Sequence, residues 1–244
     1  MSSATIRAGD RQPQRRLYGR RRGRALRAGQ RALIETLLPE LRFALPQSDG
    51  PQSDGPENRM PLDPRSLFRD PVGDVWLEIG FGGGEHVAFQ AETYPDCGII
   101  GCEVFEPGIA RLLSDIAGRG LGNVRLFIDD ARMLVAALAP QSLGRAFILF
   151  PDPWPKERHK KRRIVARETL DHLAAALRDG AELRVATDDP DYAQWIDERL
   201  EAHPDFARLD ATPRPADWPP TRYEQKAAAQ GRAARLFFYR RRPR

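Results

Sequence analysis

From Val75 onward, short apolar runs rich in β-branched and aromatic residues alternate with longer amphipathic stretches for more than 160 residues. This alternation constrains the fold more than any other feature. Strands separated by helices must run parallel, with crossovers that cover both faces of the sheet. Strands are expected at 75–79, 98–104, 124–128, 145–150 and 182–186, with closing strands at 206–209 and 234–240. Helices are expected from the glycine turn at 80–84 to about Tyr94, from Pro107 to about Gly118, and at 131–138, 163–177 and 190–202. Pro107 suits a first helical turn, and Gly180 lies just past the fourth helix. The fold class is therefore α/β: a Rossmann-like, mostly parallel seven-stranded sheet with helices on both faces.

Ahead of this pattern, Leu33, Ile34, Leu37, Leu38 and Leu41 recur at helical spacing and imply one amphipathic helix, kinked or ended by Pro39. Residues 1–27 read as a basic arm, disordered when free. Residues 28–244 read as a single domain, interrupted by the repeat PQSDGPQSDG at 46–55. That insert is turn-forming and low in complexity, and no function is expected of it. No apolar run approaches the length of a membrane span, and no apolar segment follows the arginine-rich start as in a secretory signal. Cys97 and Cys102 lack metal-site partners at suitable spacing, which implies a reduced, cytoplasmic setting and no metal. A monomer is expected, with a homodimer as the alternative.

Charge is unevenly placed. The net charge is +5, but 11–27 holds eight arginines and no acid, and 235–244 holds five arginines and no acid. A third cluster, Lys156, Arg158, Lys160, Lys161, Arg162 and Arg163, follows the run FPDPWP. Three separated basic segments imply a polyanionic partner.

In a doubly wound sheet, ligands bind beyond the carboxyl ends of the strands. Acids stand at the ends of the first five strands: Glu78, Glu103, Asp130, Asp152 and Asp188. Unpaired carboxylates are costly to bury, so their convergence on one rim calls for a chemical reason. The turn Gly80-Phe81-Gly82-Gly83-Gly84 is followed by Glu85, where a dinucleotide fingerprint needs its last glycine. Glu85 would repel a pyrophosphate, and no lysine-serine or lysine-threonine pair makes a P-loop. Glu103 is placed to accept two ribose hydroxyls, Glu78 to meet a cationic amino group, and Asp130 to reach an adenine amino group. An adenosine cofactor with an amino-acid tail and no phosphate is S-adenosylmethionine.

The chain resembles the bacterial tRNA (guanine-N7-)-methyltransferases of the TrmB type. The resemblance rests on LEIGFGGGE at 77–85, GCEV at 101–104, FPDPWPKERHKKRRIV at 150–165, ATD at 186–188 and TRYEQ at 221–225. It runs from about Leu17 to Arg240, departing at Pro155 and at the insert. It implies a class I S-adenosylmethionine-dependent methyltransferase acting on N7 of a guanine in tRNA, at guanine 46 of the variable loop. By the same resemblance Glu78, Gly80, Gly82, Glu103, Asp130 and Asp152 hold the cofactor or line the active site, with Asp152 catalytic. Lys156, Asp188, Thr221, Arg222, Tyr223 and Glu224 bind the target nucleotide. Trp154 is left between a base-stacking role and a core role.

Rival readings are a small-molecule methyltransferase, a nicotinamide oxidoreductase and a non-catalytic RNA-binding protein. The basic segments oppose the first, Glu85 the second and the convergent acids the third.

Overall fold

The computed structural model describes residues 19, 21–23, 25–45, 60–209 and 214–244. Most of the basic arm and the insert at 46–55 lie outside the described residues.

Two short helices, α1 (Ala28–Thr36) and α2 (Leu38–Leu41), stand where one was expected. The break falls at Leu37, because Pro39 has no N–H to continue α1 and instead opens a new first turn. A two-residue strand, β1 (Arg42–Phe43), follows and pairs in parallel with β4 (Val124–Phe127). Among the described residues the sheet therefore has eight strands rather than seven. Two residues are too few to show the alternation that marks a strand in sequence.

The remaining order is β2 (Asp74–Ile79), α3 (Glu85–Thr93), β3 (Cys97–Cys102), α4 (Glu106–Arg119), β4, α5 (Ala131–Ala137) and β5 (Leu143–Leu149). Then come α6 (Arg167–Ala176), β6 (Leu177–Thr187), α7 (Pro190–Glu201), β7 (Phe206–Arg208), α8 (Arg222–Ala229) and β8 (Arg235–Arg241). Across the sheet the strands run β1-β4-β3-β2-β5-β6-β8-β7. All neighbours are parallel except those of β8, which is antiparallel to β6 and β7.

Two expectations need correction. The helix expected at 163–177 begins only at Arg167, and a 3-10 helix (Glu157–Arg162) carries the basic run before it. Gly180 does not cap that helix; with φ 81° it lies inside β6. The helix α8 was not expected, since RYEQKAAA has no apolar stripe and buries only Ala227.

The strand β2 lies between β3 and β5, where connections diverge to opposite edges. Its side chains alternate, as the strand period requires. Val75, Leu77 and Ile79 pack with Leu134, Leu173 and Ile196 of α5, α6 and α7. Trp76 faces the opposite layer with Val87 of α3 and Leu112 of α4. Each such buried aliphatic side chain contributes roughly 1.5–3 kcal/mol.

The loop before α8 is tied to the sheet. Asp217 accepts from Arg145 of β5 at 2.8 Å and from Arg184 of β6 at 2.8 Å. Burial acts to raise the Asp217 carboxyl, but the hydrogen bonds and charges of Arg184 and Arg145 outweigh it and leave its pKa lowered. The adjacent Trp218 is fully buried, edge-on to Phe238. These contacts set α8 beside the carboxyl ends of the central strands.

Candidate active site

A cavity of about 550 Å³ opens beyond the carboxyl ends of β2, β3, β4 and β5. Its wall includes Gly80 and Gly82 after β2, Glu103 after β3, Asp129 and Asp130 after β4, and Asp152 and Trp154 after β5. Tyr223 of α8 closes it from the far side.

The glycine turn adopts a path few other residues can follow. Gly80, Gly82 and Gly84 have φ of 74°, 55° and 79°. A close approach fixes it against α4: a Cβ on Gly108 would stand 1.8 Å from the Gly82 carbonyl oxygen. Glu103 secures the turn from β3. One carboxylate oxygen accepts from the Gly82 N–H at 2.8 Å, and the other from Val104 and Phe105 N–H at 2.7 and 3.0 Å. Asp130 caps α5 by accepting from the Arg132 N–H at 3.0 Å, and its carboxylate pairs with the Arg132 guanidinium at 2.6 Å. Asp129 accepts from the Asp130 N–H at 2.8 Å and also reaches the wall.

Asp152 is exposed at the rim. Desolvation by the surrounding walls nevertheless raises its carboxyl above the ordinary range. The two residues that bracket its prolines, Phe150 and Trp154, have φ of 52° and 44°. Bulky side chains rarely adopt that region, and residues preceding proline are further disfavoured there in helical conformations. Such strain concentrates at functional sites.

The other anticipated residues divide into groups. Glu78 does not line the cavity. The strand alternation turns it to the α3 face, where it is buried and accepts from His86 Nδ1 at 2.7 Å. His86 Nε2 in turn accepts from Gln90 at 3.0 Å, which places the imidazole proton on Nδ1. Asp188 lies behind Tyr223, accepting from its hydroxyl at 3.3 Å and from Arg232. Thr221 caps α8 by accepting from the Glu224 N–H at 3.1 Å, while Glu224 pairs with Arg214 at 2.8 Å. Arg222 and Lys156 are exposed outside the cavity wall.

Sequence reasoning overlooked Phe150 and the burial of Arg163, and it left Trp154 undecided. Phe150 lines the cavity and packs against Tyr223, with ring centroids 5.2 Å apart and planes tilted by 46°. Trp154 lines it too, with the Arg162 guanidinium 5.0 Å from its ring. Arg163, read as part of a solvated basic strip, is buried. The positive-φ backbone that orients the aromatics has no sequence signature beyond the crowding of prolines.

The cavity suits a nucleoside cofactor without phosphates. Its volume falls within the range for small-ligand sites, roughly 300–1,000 Å³. Glu103 and Asp130 offer acceptors on the wall for hydroxyl and amino donors. A phosphate at the turn would face Glu85, which pairs with Arg111 at 3.0 Å, and Glu103. The arrangement fits S-adenosylmethionine.

Comparisons with known proteins agree with this geometry. The family model described as "Putative methyltransferase" matches residues 73–236. The 16S rRNA methyltransferase KamB superposes with a TM-score of 0.51 at 19% identity, over 73% of this chain and 91% of its own. The cyclase SpnF superposes at 0.50 and 16%, over 70% and 75%, so the shared fold alone assigns no chemistry. Sequence relatives are far closer. The tRNA (guanine-N(7)-)-methyltransferase of Paramagnetospirillum magneticum is 53% identical over 234 residues, covering 94% of both chains. That of Rhodospirillum rubrum is 47% identical over 234 residues, covering 94% of this chain and 89% of its own. With such identity along nearly its whole length, and the family model spanning the strands that build the cavity, the chain belongs to the tRNA (guanine-N(7)-)-methyltransferase family.

Proposed function

We propose that this protein transfers a methyl group from S-adenosylmethionine to N7 of a guanine in tRNA, at guanine 46 of the variable loop. The observation that carries this reading is the convergence of Glu103, Asp130, Asp152 and Tyr223 on one cavity. The cofactor-facing acids and the strained Asp152 loop stand on one side of it, and the segment assigned to the nucleotide on the other.

When bound, the cofactor supplies an electrophilic methyl group on a sulfonium. Guanine N7 presents a lone pair and holds no proton, so the protein needs no strong base. Its task is alignment and electrostatics. Glu103, with three backbone N–H groups fixing its carboxylate, holds the ribose hydroxyls. Asp130, at the adenine end, is held in place by Arg132. Asp152 offers negative charge where the methylated guanine becomes cationic. Desolvation strengthens that interaction by disfavouring the uncompensated carboxylate. Tyr223 and Phe150 offer a stacking surface for the base. Asp188 supports the base site from behind, by accepting from the Tyr223 hydroxyl at 3.3 Å. Lys156 and the exposed Arg158 and Lys161 face phosphates from the rim.

Glu78 acts indirectly in this scheme, by holding the first turn of α3 through His86. Among the described residues no helix is long and apolar enough to cross a membrane. We assign the protein to the cytoplasm, working as a monomer.

Incubation with labelled S-adenosylmethionine and either bulk tRNA or a metabolite pool tests the substrate class. Label entering tRNA alone supports the reading; label entering the metabolite pool alone assigns the enzyme a small substrate.

A further inference from the structure

The loop that carries Asp152 cannot hold itself. Pro151, Pro153 and Pro155 supply no N–H donors, so three of the six residues from Phe150 to Pro155 can only accept. Phe150 and Trp154 are strained, with φ of 52° and 44°. Strained conformers persist only where the surroundings over-determine them. One end of the loop is fixed by the sheet, since the Phe150 N–H donates to the Ala186 carbonyl at 2.8 Å. The other end is fixed by a side chain: Arg163 Nε donates to the Pro153 carbonyl at 2.8 Å.

Arg163 is itself held rigidly. Its side chain has 0% exposure. Its guanidinium lies 4.7 Å from the Tyr192 ring and 4.9 Å from the Trp195 ring, both on α7. A second arm of the fork, Nη2, donates to Asp191 in the first turn of α7. The Trp195 indole is fixed by donating to the Val165 carbonyl at 2.6 Å. A buried guanidinium is expensive unless it is paired and hydrogen-bonded, as Nε and Nη2 are here. Tethering the 3-10 helix to α7 would need only the Asp191 contact. The bond to Pro153 reaches past that helix to the residue beside Asp152.

We propose that Arg163 is a positioning residue for methyl transfer: clamped between Tyr192, Trp195 and Asp191, it holds the Pro153 carbonyl and thereby fixes Asp152 at the cavity. This rests on the assignment of Asp152 to the reaction. A planar fork is required, because one group must stack on two rings, reach the carbonyl and meet a carboxylate at once. Lysine keeps the charge but has neither the plane nor the second arm.

The test is a set of variants, Arg163→Lys and Asp191→Asn, each made alone and in an Asp152→Asn background. Turnover, KM for tRNA and cofactor, and melting temperature are measured for each. Arg163→Lys is expected to lower kcat at least tenfold while both KM values stay within about threefold. In the Asp152→Asn background the same change is expected to add no further loss, although it lowers the melting temperature by the same amount. Asp191→Asn is expected to lower kcat by a smaller factor. It also removes the 3.4 Å contact of Lys160 with Asp191, while Lys160 keeps its pair with Glu157 at 3.0 Å. A folded Arg163→Lys enzyme with unchanged kcat, or one whose loss is just as large without Asp152, overturns the proposal. If Arg163→Lys fails to fold, Asp191→Asn decides, because its carboxylate is 54% exposed and its loss is tolerable; unchanged kcat there overturns the clamp. Full activity of Asp152→Asn alone would instead remove Asp152 from the reaction, and the positioning role with it.

Discussion

Asp152 combines two properties that pull stability and activity apart. Its carboxyl is raised by desolvation, so the ionised form is the disfavoured one in the folded chain. The cost is absent where both folded and unfolded forms are protonated, and appears as pH rises through the folded pKa. Asp152→Asn should therefore melt at a higher temperature than wild type at neutral pH, with the difference vanishing in acid. Methyl transfer should fall on the order of 10²-fold, as when one pre-aimed electrostatic group is lost. Scanning calorimetry and initial rates check both. The wild-type rate should also decline with acid at a pH above the ordinary carboxylate range. Glu103→Ala should weaken cofactor binding by about 2 kcal/mol, roughly thirty-fold by calorimetry, since a charged acceptor is lost. Unchanged affinity would remove Glu103 from the ribose site. At this scale the sequence identified the acids at the strand ends, because chain order alone places strand ends on one rim. It did not separate Glu78, which the two-residue period turns under α3, from Glu103, which continues past its strand into the cavity. Nor did it mark Arg163 as buried, because six neighbouring cations look alike until α7 is packed against one of them.

Elements with strong periodicity were legible: β2 to β5 and the helices α3, α4 and α7 lie within a few residues of where apolar spacing puts them. Those that escaped lack a pattern of their own. The strand β1 is two residues long and exists through its pairing with β4. The helix α8 is polar on nearly every side and is placed by its Thr221 cap and by Asp217 behind it. The glycine turn is the element on which the cofactor site depends most. Gly108→Ala should press the first turn of α4 against the Gly82 carbonyl, because a Cβ there would stand 1.8 Å from that oxygen. The variant should keep its circular dichroism and lose cofactor affinity by tenfold or more. Normal affinity would show that the turn yields without cost.

Among the described residues, the cavity rim meets exposed cations of the 3-10 helix (Glu157–Arg162) and its flanks. Lys156, Arg158 and Lys161 remain exposed beside it, whereas Lys160 pairs with Glu157 and Asp191, and Arg163 pairs with Asp191. The sequence carries further arginines near its start, outside the described residues. Removing residues 1–18 takes away four of them and spares Gly19, which lines the cavity. The truncated protein should bind tRNA more weakly, with a salt dependence shallower by roughly one to three in log–log slope. An identical slope would exclude that segment from phosphate contact. Composition pointed to a polyanion, and the motifs to a methyl donor; the rim at the carboxyl ends of the strands carries exposed cations beside the cavity. The central claim, that this face methylates guanine N7 in tRNA, is tested most directly by treating unmodified tRNA with labelled S-adenosylmethionine and identifying the labelled nucleoside after complete digestion. All label should be recovered as N7-methylguanosine; label in any other nucleoside, or none in tRNA, would contradict it.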